Sequence, residues 1–521
     1  MYAIQVKKGG EYARRAQAQQ ESRGMTEPVR GGIFFTDKNG THIPAVINKE
    51  YPIIYAVPTQ IKDPQETAKR VAVLLHIDEI TLEKQLSKKN DQYELLVAKA
   101  SPEQVDAIKA AAIEGLFIKN ETFRYYPFRE LAAHVLGIVS PSSDGTIAGR
   151  YGIEKLFDSV LRGIAGAFLG SKEEAVPIAG NEIHLTIDRT IQAEAEKTIT
   201  RLIQQWNGTG ATAIVQDPMS GRILAMASAP TFDPNEYGSY DLKTFLNPAV
   251  EAIYEPGSIF KPITMSAGID SGAITPDTTY VDKGYIQLDK YTIKNWDGKA
   301  HGKQTMTNVI EKSLNTGTVF AQRTMGRKVF ADYVKQFGFS EKTGVKLPGE
   351  VRSNSGNLEK GREAEYATMS YGQGISVTPI AMIGAFSAIA NGGVLMRPLI
   401  TQDEKAEVVR RVISVDTAKK VTDMMVSAVE INQLARVPHY RVAGKTGTAF
   451  IPVNGGYSEE RVIHSYVGFA PADNPRFVVY LKLTEPSAPL AGQTVVPAFQ
   501  KMAEFLLNYY EVAPDTLSEA Q

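Results

Sequence analysis

Residues 255–261 read EPGSIFK and place a serine and a lysine three positions apart, next to a proline-glycine pair that signals the start of a helix. Residues three apart on a helix share a face, so the hydroxyl of Ser258 and the amine of Lys261 are predicted to meet. A desolvated lysine with a lowered pKa can take the proton of a serine hydroxyl, and the free N–H groups of a helix start can hold an oxyanion. The stretch therefore predicts a nucleophile and its base.

A capped helix with a lysine on its surface is the alternative interpretation of EPGSIFK. At ordinary composition, about two S-x-x-K matches are expected by chance in a chain of 521 residues. The motif therefore needs support from other parts of the chain.

A second polar group, Ser313-Leu314-Asn315, lies inside the helical pattern of residues 306–325. A hydroxyl and an amide two positions apart on one element can relay a proton and hold a peptide-like substrate in one cleft. A polar helix end is the alternative interpretation.

A third group, Lys445-Thr446-Gly447-Thr448, lies within the strand-like run 440–450. Glycine lets a substrate backbone approach and pair as an added strand, and the neighbouring amine and hydroxyls suit a carboxylate. In strict alternation Lys445 and Thr448 face opposite sides, so both reach one cleft only if the strand twists or bulges at Gly447.

The order and spacing of the three groups support one another. Ser313 follows Ser258 by 55 residues (313 minus 258), and Lys445 follows Ser313 by 132 (445 minus 313). This is the S-x-x-K, S-x-N, K-T-G triplet of the penicillin-recognising serine acyltransferases. Another lysine-threonine-glycine, at 342–344, is set aside because its surroundings are loop-like and it lacks the fourth hydroxyl.

The surrounding pattern predicts an α+β fold with more than one domain. About 200 mainly helical residues are flanked by strand-like runs and a closing amphipathic helix, which lie at 212–217, 222–228, 440–450, 464–471, 476–483 and 497–510. Such an order predicts an antiparallel sheet assembled from both ends of a domain, beside a helical region.

Composition limits the partners of the chain. Lys plus Arg number 57 against 58 for Asp plus Glu, so no general attraction to nucleic acid or to an anionic membrane is expected. The absence of cysteine excludes disulfides and thiolate metal ligands, and no cofactor or metal is predicted. The apolar stretch 380–390 is far shorter than the roughly 20 residues that cross a bilayer, and it predicts a buried helix.

With these residues identified, the chain resembles the class B penicillin-binding proteins, which are peptidoglycan D,D-transpeptidases of bacterial elongation or division. Besides the triplet, the resemblance is carried by NPAVEAIYEPGSIFKP, IKNWDGKAHGKQTMTNVIEKSLNTG and YGQGISVTP, and upstream by VRGGIFFTDKNG, FRYYPFRELAAHVLG and GRYGIEKLFDSVLRG. It runs nearly end to end. In FFTDKNG the family usually has an arginine after the aspartate, a departure that we assign to the non-catalytic part.

The resemblance implies a serine-β-lactamase-like transpeptidase domain at 181–515, with an antiparallel sheet and a helical subdomain. An elongated α+β pedestal domain of the dimerisation type, with a linker, is expected at 1–180. The family has one N-terminal transmembrane helix, so both domains are expected on the extracytoplasmic side of the cell membrane, and the anchor is expected to precede the first residues of this chain. A membrane-embedded glycan polymerase is the implied partner, and nucleic acid is not.

Carried over position by position, the resemblance implies that Ser258 attacks the carbonyl between the last two D-alanines of a stem peptide, with Lys261 as the general base of acylation. Ser313 and Asn315 would relay the proton of the leaving group and bind the peptide amide. β-Lactams would mimic the substrate and stay attached to Ser258.

The remaining roles fall on the third motif. Lys445, Thr446 and Thr448 would fix the terminal carboxylate, beside the glycine at Gly447. The backbone N–H groups of Ser258 and Thr448 would hold the oxyanion.

Alternatives to a transpeptidase stay open. A D,D-carboxypeptidase or serine β-lactamase shares the triplet but releases the acyl group to water, and a β-lactam sensor or envelope scaffold keeps the fold without turnover. A Ser-His-Asp hydrolase is disfavoured because no G-x-S-x-G is present. Among the histidines, His301 in WDGKAHG is noted because it lies close in sequence to the proposed cleft.

Overall fold

The computed structural model describes residues 28–515, except 143–145, 166–167, 170–172, 175–176, 289–290 and 454–455. Residues 1–27, which the family resemblance implies to follow a membrane anchor, and part of the proposed linker at 163–180 lie outside the described residues. The chain forms two compact units. In the described residues, one contains 28–34, Pro44–Arg129 and Leu136–Ile183, and the other contains Phe35–Ile43, Glu130–Val135 and 184–515.

Short elements make up the N-terminal part of the chain. Its strands are β1 (Ile33–Thr36), β2 (His42–Ala56), β3 (Glu94–Val97), β4 (Leu116–Tyr125), β5 (Val139–Pro141), β6 (Ile147–Gly149), β7 (Phe168–Leu169) and β8 (Glu173–Glu174). Its helices are α1 (Pro64–Leu75), α2 (Glu79–Leu86), α3 (Pro102–Ala111), α4 (Ala133–Leu136), α5 (Gly152–Leu156) and α6 (Asp158–Arg162), with a 3₁₀ turn at Pro58–Gln60.

Two long strands organise the first unit. β2 pairs antiparallel with β4 from Ile47 opposite Tyr125 to Ala56 opposite Leu116, and its end also pairs with β3. Even-numbered residues at this end, such as Ile54, pack on the apolar side of α1 and α2 in one buried cluster. The alternation along β2 therefore sets which face of this sheet the helices cover.

A buried ion network joins three distant segments of the first unit. Arg30 contacts Glu154 at 2.6 Å and Asp158 at 2.8 Å, and Arg124 contacts Glu154 at 2.6 Å. The Glu154 carboxylate is fully buried, so removing one partner would leave an uncompensated charge away from water. The three upstream segments quoted for the family resemblance each contribute to this network.

The second unit contains most of the chain. The strand β9 (Ile183–His184) begins with the last residue of the first unit, and the strands that follow it are β10 (Gly210–Gln216), β11 (Ile223–Ala229), β12 (Thr279–Asp282), β13 (Tyr285–Leu288), β14 (Tyr291–Lys294), β15 (Gly302–Thr305), β16 (Val394–Met396), β17 (Val408–Arg411), β18 (Ala443–Val453), β19 (Gly456–Ala470) and β20 (Phe477–Thr484).

Its helices are α7 (Arg189–Trp206), α8 (Pro248–Glu251), α9 (Lys261–Asp270), α10 (Met306–Glu311), α11 (Asn315–Met325), α12 (Arg327–Gln336), α13 (Asn357–Lys360), α14 (Glu363–Met369), α15 (Pro379–Ala390), α16 (Val415–Asn432) and α17 (Val495–Tyr509). Turns of 3₁₀ helix occur at Pro234–Ser239, Leu242–Phe245, Gly257–Phe260 and Ala491–Gln493.

An antiparallel sheet with the order β11-β10-β20-β19-β18 forms the centre of the second unit. The strands come from both ends of the domain, as the sequence predicts, and the predicted hairpin of β10 and β11 is confirmed. The helical residues between them supply α8 to α16. The order of the strands brings β18, which carries the third motif, to one edge of the sheet.

The two faces of this sheet are covered by different helices. On one face, Ala213 and Leu481 join Ile191 of α7 and Phe499 of α17 in a large apolar cluster. On the other face, α15 contacts β10 and β20. The helix α15 is buried over nearly its whole length, which confirms the buried helix predicted for 380–390.

Lys38, the departure from the family pattern, contacts the end of the last helix. Its amine donates to the Tyr509 carbonyl at 2.7 Å and pairs with Glu511 at 2.9 Å. The cation stabilises the negative end of α17, and its surroundings belong to the second unit rather than to the first.

Across the part of the chain that the structure describes, no helix has both the length and the apolar character needed to cross a membrane.

Candidate active site

The nucleophile candidate lies in a tight turn before a helix. Ser258 is in the 3₁₀ turn Gly257–Phe260, and α9 begins directly afterwards at Lys261. Gly257 has a φ of +58°, and its N–H donates to the carbonyl of Gly372 at 3.0 Å. The sequence predicts a helix start here. The structure adds that a left-handed glycine turns the chain, so that Ser258 is half-buried just before the N-terminus of α9.

Lys261 is fully buried, and its amine is held by Ser313. The Nζ atom donates to the Ser313 carbonyl at 2.5 Å and lies 3.2 Å from the Ser313 hydroxyl. The sequence predicts that the Ser258 hydroxyl and the Lys261 amine can meet, but within the described residues no hydrogen bond joins them. Hydrogen bonds of catalytic groups are often long or poorly aligned before substrate binds. The hydroxyl of Ser258 and the amine of Lys261 can therefore still pair when substrate is present.

Ser313 lies between two helices rather than on one. It follows α10, has a left-handed φ of +56°, and precedes α11, whose first residue is Asn315. The amide of Asn315 donates to the Lys294 carbonyl at 2.9 Å. The expectation of one continuous helical element is therefore wrong, and the break at Ser313 is what turns its hydroxyl and carbonyl toward Lys261.

The third motif reaches the same serine from the sheet. Lys445 of β18 is 4% exposed, and its Nζ lies 3.1 Å from the Ser313 hydroxyl. The same amine lies 3.2 Å from the Thr446 carbonyl and 3.3 Å from the Thr446 hydroxyl. One hydroxyl, that of Ser313, is thus contacted by two buried amines.

No bulge is needed to bring the third motif into the cleft. The β18–β19 pairing runs without a register shift from Ala443 to Phe450, so Gly447 pairs regularly with Ser465. Lys445 instead bends its long side chain back to the oxygens of Thr446. The regular pairing excludes a bulge at Gly447, which is one of the two ways by which the sequence allows Lys445 and Thr448 to reach one cleft, the other being a twist of the strand.

Gly447 matters for a different reason, which is the close approach of β18 to the nucleophile turn. A Cβ atom at Gly447 would lie 2.4 Å from the Ser465 hydroxyl, 3.0 Å from a methyl of Ile259 and 3.0 Å from the Pro256 carbonyl. These distances leave no room for a side chain. The absence of a Cβ sets the spacing between the strand and the turn that carries Ser258.

The pKa values of the two lysines are lowered by different combinations of causes. Burial lowers the pKa of Lys261 well below its ordinary value, and the charge of Lys445 lowers it further. Burial alone lowers the pKa of Lys445 to about 7. Two like charges around one hydroxyl disfavour each other, so Lys261 is the amine that gives up its proton first.

The other residues noted in the sequence lie elsewhere. His301 pairs with Asp297 at 3.0 Å and, within the described residues, contacts none of the residues of the triplet. The backbone N–H groups of Thr343 and Gly344 donate to Glu350, which agrees with setting that motif aside. In the described part of the chain, no group of three or more His, Asp or Glu side chains could hold a metal ion.

Sequence reasoning missed two groups beside the nucleophile turn. The sequence predicts no function for Glu255, the first residue of EPGSIFK. Its carboxylate accepts hydrogen bonds from the N–H of Gly374 and from the hydroxyl of Tyr457. The position of Glu255, three residues before Ser258, was the only signal for it in the sequence. Nothing in the sequence indicated Tyr457, because that contact joins residues 202 apart.

Known proteins resemble this chain over both of its parts. A model of the penicillin-binding protein transpeptidase domain matches residues 211–504, and a model of the penicillin-binding protein dimerisation domain matches residues 25–202. The chain is 33% identical over 500 residues to stage V sporulation protein D of Bacillus subtilis, covering 90% of this chain and 76% of that protein. It is 28% identical over 514 residues to the probable peptidoglycan D,D-transpeptidase PenA of Neisseria meningitidis, covering 94% and 86%.

Solved structures share the fold over nearly the whole chain. A peptidoglycan synthetase from Bifidobacterium adolescentis superposes with a TM-score of 0.73 at 26% identity, covering 95% of this chain and 98% of that one. Penicillin-binding protein 3 from Mycobacterium tuberculosis, in complex with aztreonam, gives 0.72 at 27% identity, covering 95% and 100%.

The fold and the two matched domains place this chain among the penicillin-binding proteins, in the class that joins a dimerisation domain to a transpeptidase domain, class B. The predicted family and the predicted α+β fold class are thus confirmed.

Replacing Gly447 by Ala should separate β18 from the nucleophile turn, because the new methyl meets the Ser465 hydroxyl and the Pro256 carbonyl. We expect the rate of covalent labelling by a fluorescent penicillin to fall about 100-fold, the cost of misplacing reacting groups by about 1 Å. Gly456→Ala, in the same hairpin, is the matched control because a Cβ there meets nothing within 4 Å. Equal labelling by the two variants would contradict this role of Gly447.

Replacing Lys445 by Met should weaken the pH dependence of stability. The pKa of Lys445 is about 7 in the folded protein and about 10.4 in an unfolded chain. Between these values the unfolded state binds more protons, so the free energy of unfolding of the wild type rises with pH. We expect a smaller rise between pH 7 and 10 for Lys445→Met, measured by urea denaturation at each pH. A slope equal to that of the wild type would show that the amine is not buried as described.

Proposed function

We propose that this chain cross-links peptidoglycan as a serine D,D-transpeptidase, with Ser258 forming the acyl-enzyme. The observation that carries the proposal is the convergence of two buried amines on the Ser313 hydroxyl, next to the turn of Ser258. Relatives of the chain are named peptidoglycan D,D-transpeptidases, and related structures hold aztreonam and ampicillin.

Acylation begins when a stem peptide enters the cleft. The Ser258 oxygen attacks the carbonyl between the last two D-alanines, and its proton goes to the neutral amine of Lys261. Lys261 suits this role because burial and the neighbouring cation both lower its pKa, which favours the neutral form of the amine. The Lys261 amine is already oriented, since the carbonyl and the hydroxyl of Ser313 both contact its nitrogen.

Lys445 serves the opposite role, as a cation. An entering carboxylate beside Lys445, Thr446 and Thr448 favours the charged form of the amine, whose pKa of about 7 puts both forms within reach. Charged Lys445 and neutral Lys261 then share Ser313 without repulsion. The same two amines can therefore bind an anion and accept a proton.

The developing oxyanion is held by backbone N–H groups of Ser258 and Thr448. The support for this pair is the close approach of β18 to the turn, since the Thr448 carbonyl lies 3.0 Å from the point where a Cβ of Gly257 would stand. Removing one such donor typically costs about 3 kcal/mol of barrier.

The bond to the last D-alanine then breaks. Its amine takes the proton from Lys261 through the Ser313 hydroxyl, and free D-alanine leaves. Asn315 binds the amide of the stem peptide from the first residue of α11. The amine of a second stem peptide next attacks the ester, Lys261 removes the proton of that amine, and Ser258 recovers its hydrogen as the new amide forms.

β-Lactams enter the same route but block its second half. The ring amide acylates Ser258, and the slow loss of the adduct leaves the enzyme inactive. A serine β-lactamase or D,D-carboxypeptidase would instead release the acyl group to water. Mass spectrometry of the penicillin adduct over hours separates these cases, because a β-lactamase loses the adduct quickly.

We also propose the cellular setting that the family resemblance implies. The chain would act on the extracytoplasmic side of the cell membrane, joined to a single-pass anchor, beside a membrane-embedded glycan polymerase. Photo-cross-linking of the anchored protein in intact cells should capture the polymerase through the membrane-proximal part of the chain. Failure to capture it from any position there would remove this partner from the proposal.

Replacing Ser258 by Ala should abolish covalent labelling by penicillin, because the attacking oxygen is removed. Ser271→Ala, at the exposed end of α9, is the control and should label like the wild type. Labelling is read on a denaturing gel, and the modified peptide is located by mass spectrometry. Transfer between two stem peptides should disappear in the same variant. Equal labelling of wild type and Ser258→Ala would refute the assignment.

A further inference from the structure

The carboxylate of Glu255 bridges two elements beside the nucleophile turn. One oxygen accepts the N–H of Gly374 at 3.0 Å, and the other accepts the hydroxyl of Tyr457 at 2.9 Å. Glu255 is half-buried and precedes Ser258 by three residues. Neither bond belongs to the residues that carry out the reaction described above.

The bond to Gly374 continues a backbone pairing that holds the turn. Tyr254 and Val377 exchange N–H and carbonyl contacts at 3.0 and 2.8 Å, and Gly257 donates to Gly372 at 3.0 Å. Glu255 projects between these contacts, so its side chain adds a third tie between the same two segments. The position of the carboxylate is thus set by the backbone that also positions Ser258.

The bond to Tyr457 reaches a different element, the far end of the β18–β19 hairpin. Tyr457 pairs with Pro452, beyond the register shift that follows Phe450. The hairpin therefore continues past Thr448 and is fastened at its end to the segment in front of Ser258. The hairpin packs against the turn at Gly447, and the bond of Tyr457 to Glu255 adds a second attachment farther along it. With both contacts the hairpin has less freedom to move away from the turn than with the packing at Gly447 alone.

The surroundings of Glu255 indicate that it acts by accepting these bonds rather than by ion pairing. Within the described residues it forms no ion pair, and burial raises its pKa. The titratable groups that face it are the phenols of Tyr457 on β19 and Tyr371 before Gly372, and the pKa of each is raised, first by burial and then by the Glu255 charge. Burying half of a carboxylate with no cation beside it costs free energy. An apolar side chain at this position would fill the space without that cost.

We propose that Glu255 and Tyr457 are positioning residues that hold the β18–β19 hairpin at the reactive distance from Ser258. When the carboxylate is charged, it binds the phenol strongly and keeps the backbone of Thr448 beside the turn. When Glu255 is protonated or the phenol is absent, the end of the hairpin is released and acylation slows. This inference rests on the proposed role of Ser258 and concerns the rate of that reaction.

Tyr457→Phe removes one hydroxyl and tests the tie. We expect the second-order rate constant for acylation by a fluorescent penicillin to fall about fivefold at pH 8, the effect of one hydrogen bond. The deficit should shrink as the pH is lowered toward 5, because protonation of Glu255 weakens the same bond in the wild type. The matched control is Tyr333→Phe, which removes another phenol-to-carboxylate bond, that of Tyr333 to Asp270 at 2.7 Å, outside the cleft.

A double-mutant cycle separates positioning from general stability. Glu255→Gln keeps an oxygen for the Gly374 N–H, and in this background Tyr457→Phe should have little further effect at any pH. Unfolding temperatures of all variants show whether a loss of rate reflects a loss of fold. If Tyr457→Phe acylates like the wild type at every pH, or lowers the rate equally with and without Glu255, the proposal is overturned. If the wild type itself fails to acylate, the proposed function fails instead.

Discussion

The burial of two lysine amines around one serine hydroxyl is the constraint on which the site depends. Taking an ammonium out of water is costly, and in the described residues no carboxylate pairs with Lys261 or Lys445. The fold instead surrounds them with the backbone carbonyls and the hydroxyls of Ser313 and Thr446. This arrangement lowers stability at neutral pH, and it favours the neutral form of an amine, which an exposed lysine does not supply at that pH and which the proposed mechanism uses as its base.

Each of the three contributions to the site comes from a different kind of element. Ser258 lies in a 3₁₀ turn ahead of α9, Ser313 lies in a left-handed break between two helices, and Lys445 lies on a regular strand at the edge of the sheet. Only the strand is ordinary in its backbone. The left-handed residue Ser313 is the one that both amines contact, and backbone strain of this kind is most often retained at functional sites.

Gly447 and the Glu255 carboxylate both affect the distance between β18 and the turn that carries Ser258. The missing side chain lets β18 approach the turn, and the hydrogen bonds of Glu255 hold the end of the hairpin near it. In the proposed mechanism this distance decides whether the N–H groups of Ser258 and Thr448 can surround one oxygen. A rigid spacing at this point is consistent with a site that stabilises charge developing in the transition state.

The sequence by itself determined the kind of site, the order of the strands and helices, and the residues of the triplet. It did so because hydrophobic periodicity is local and because the side chains with the necessary chemistry recur at a recognisable spacing. It misjudged the continuity of the helix at Ser313. Only the tertiary structure decided that Lys261 binds Ser313 rather than Ser258, that Lys445 reaches the cleft from a regular strand, and that Glu255 meets Tyr457. Those contacts join residues 52, 132 and 202 positions apart, and such pairs are set by how the helices pack on the sheet, which no local pattern records.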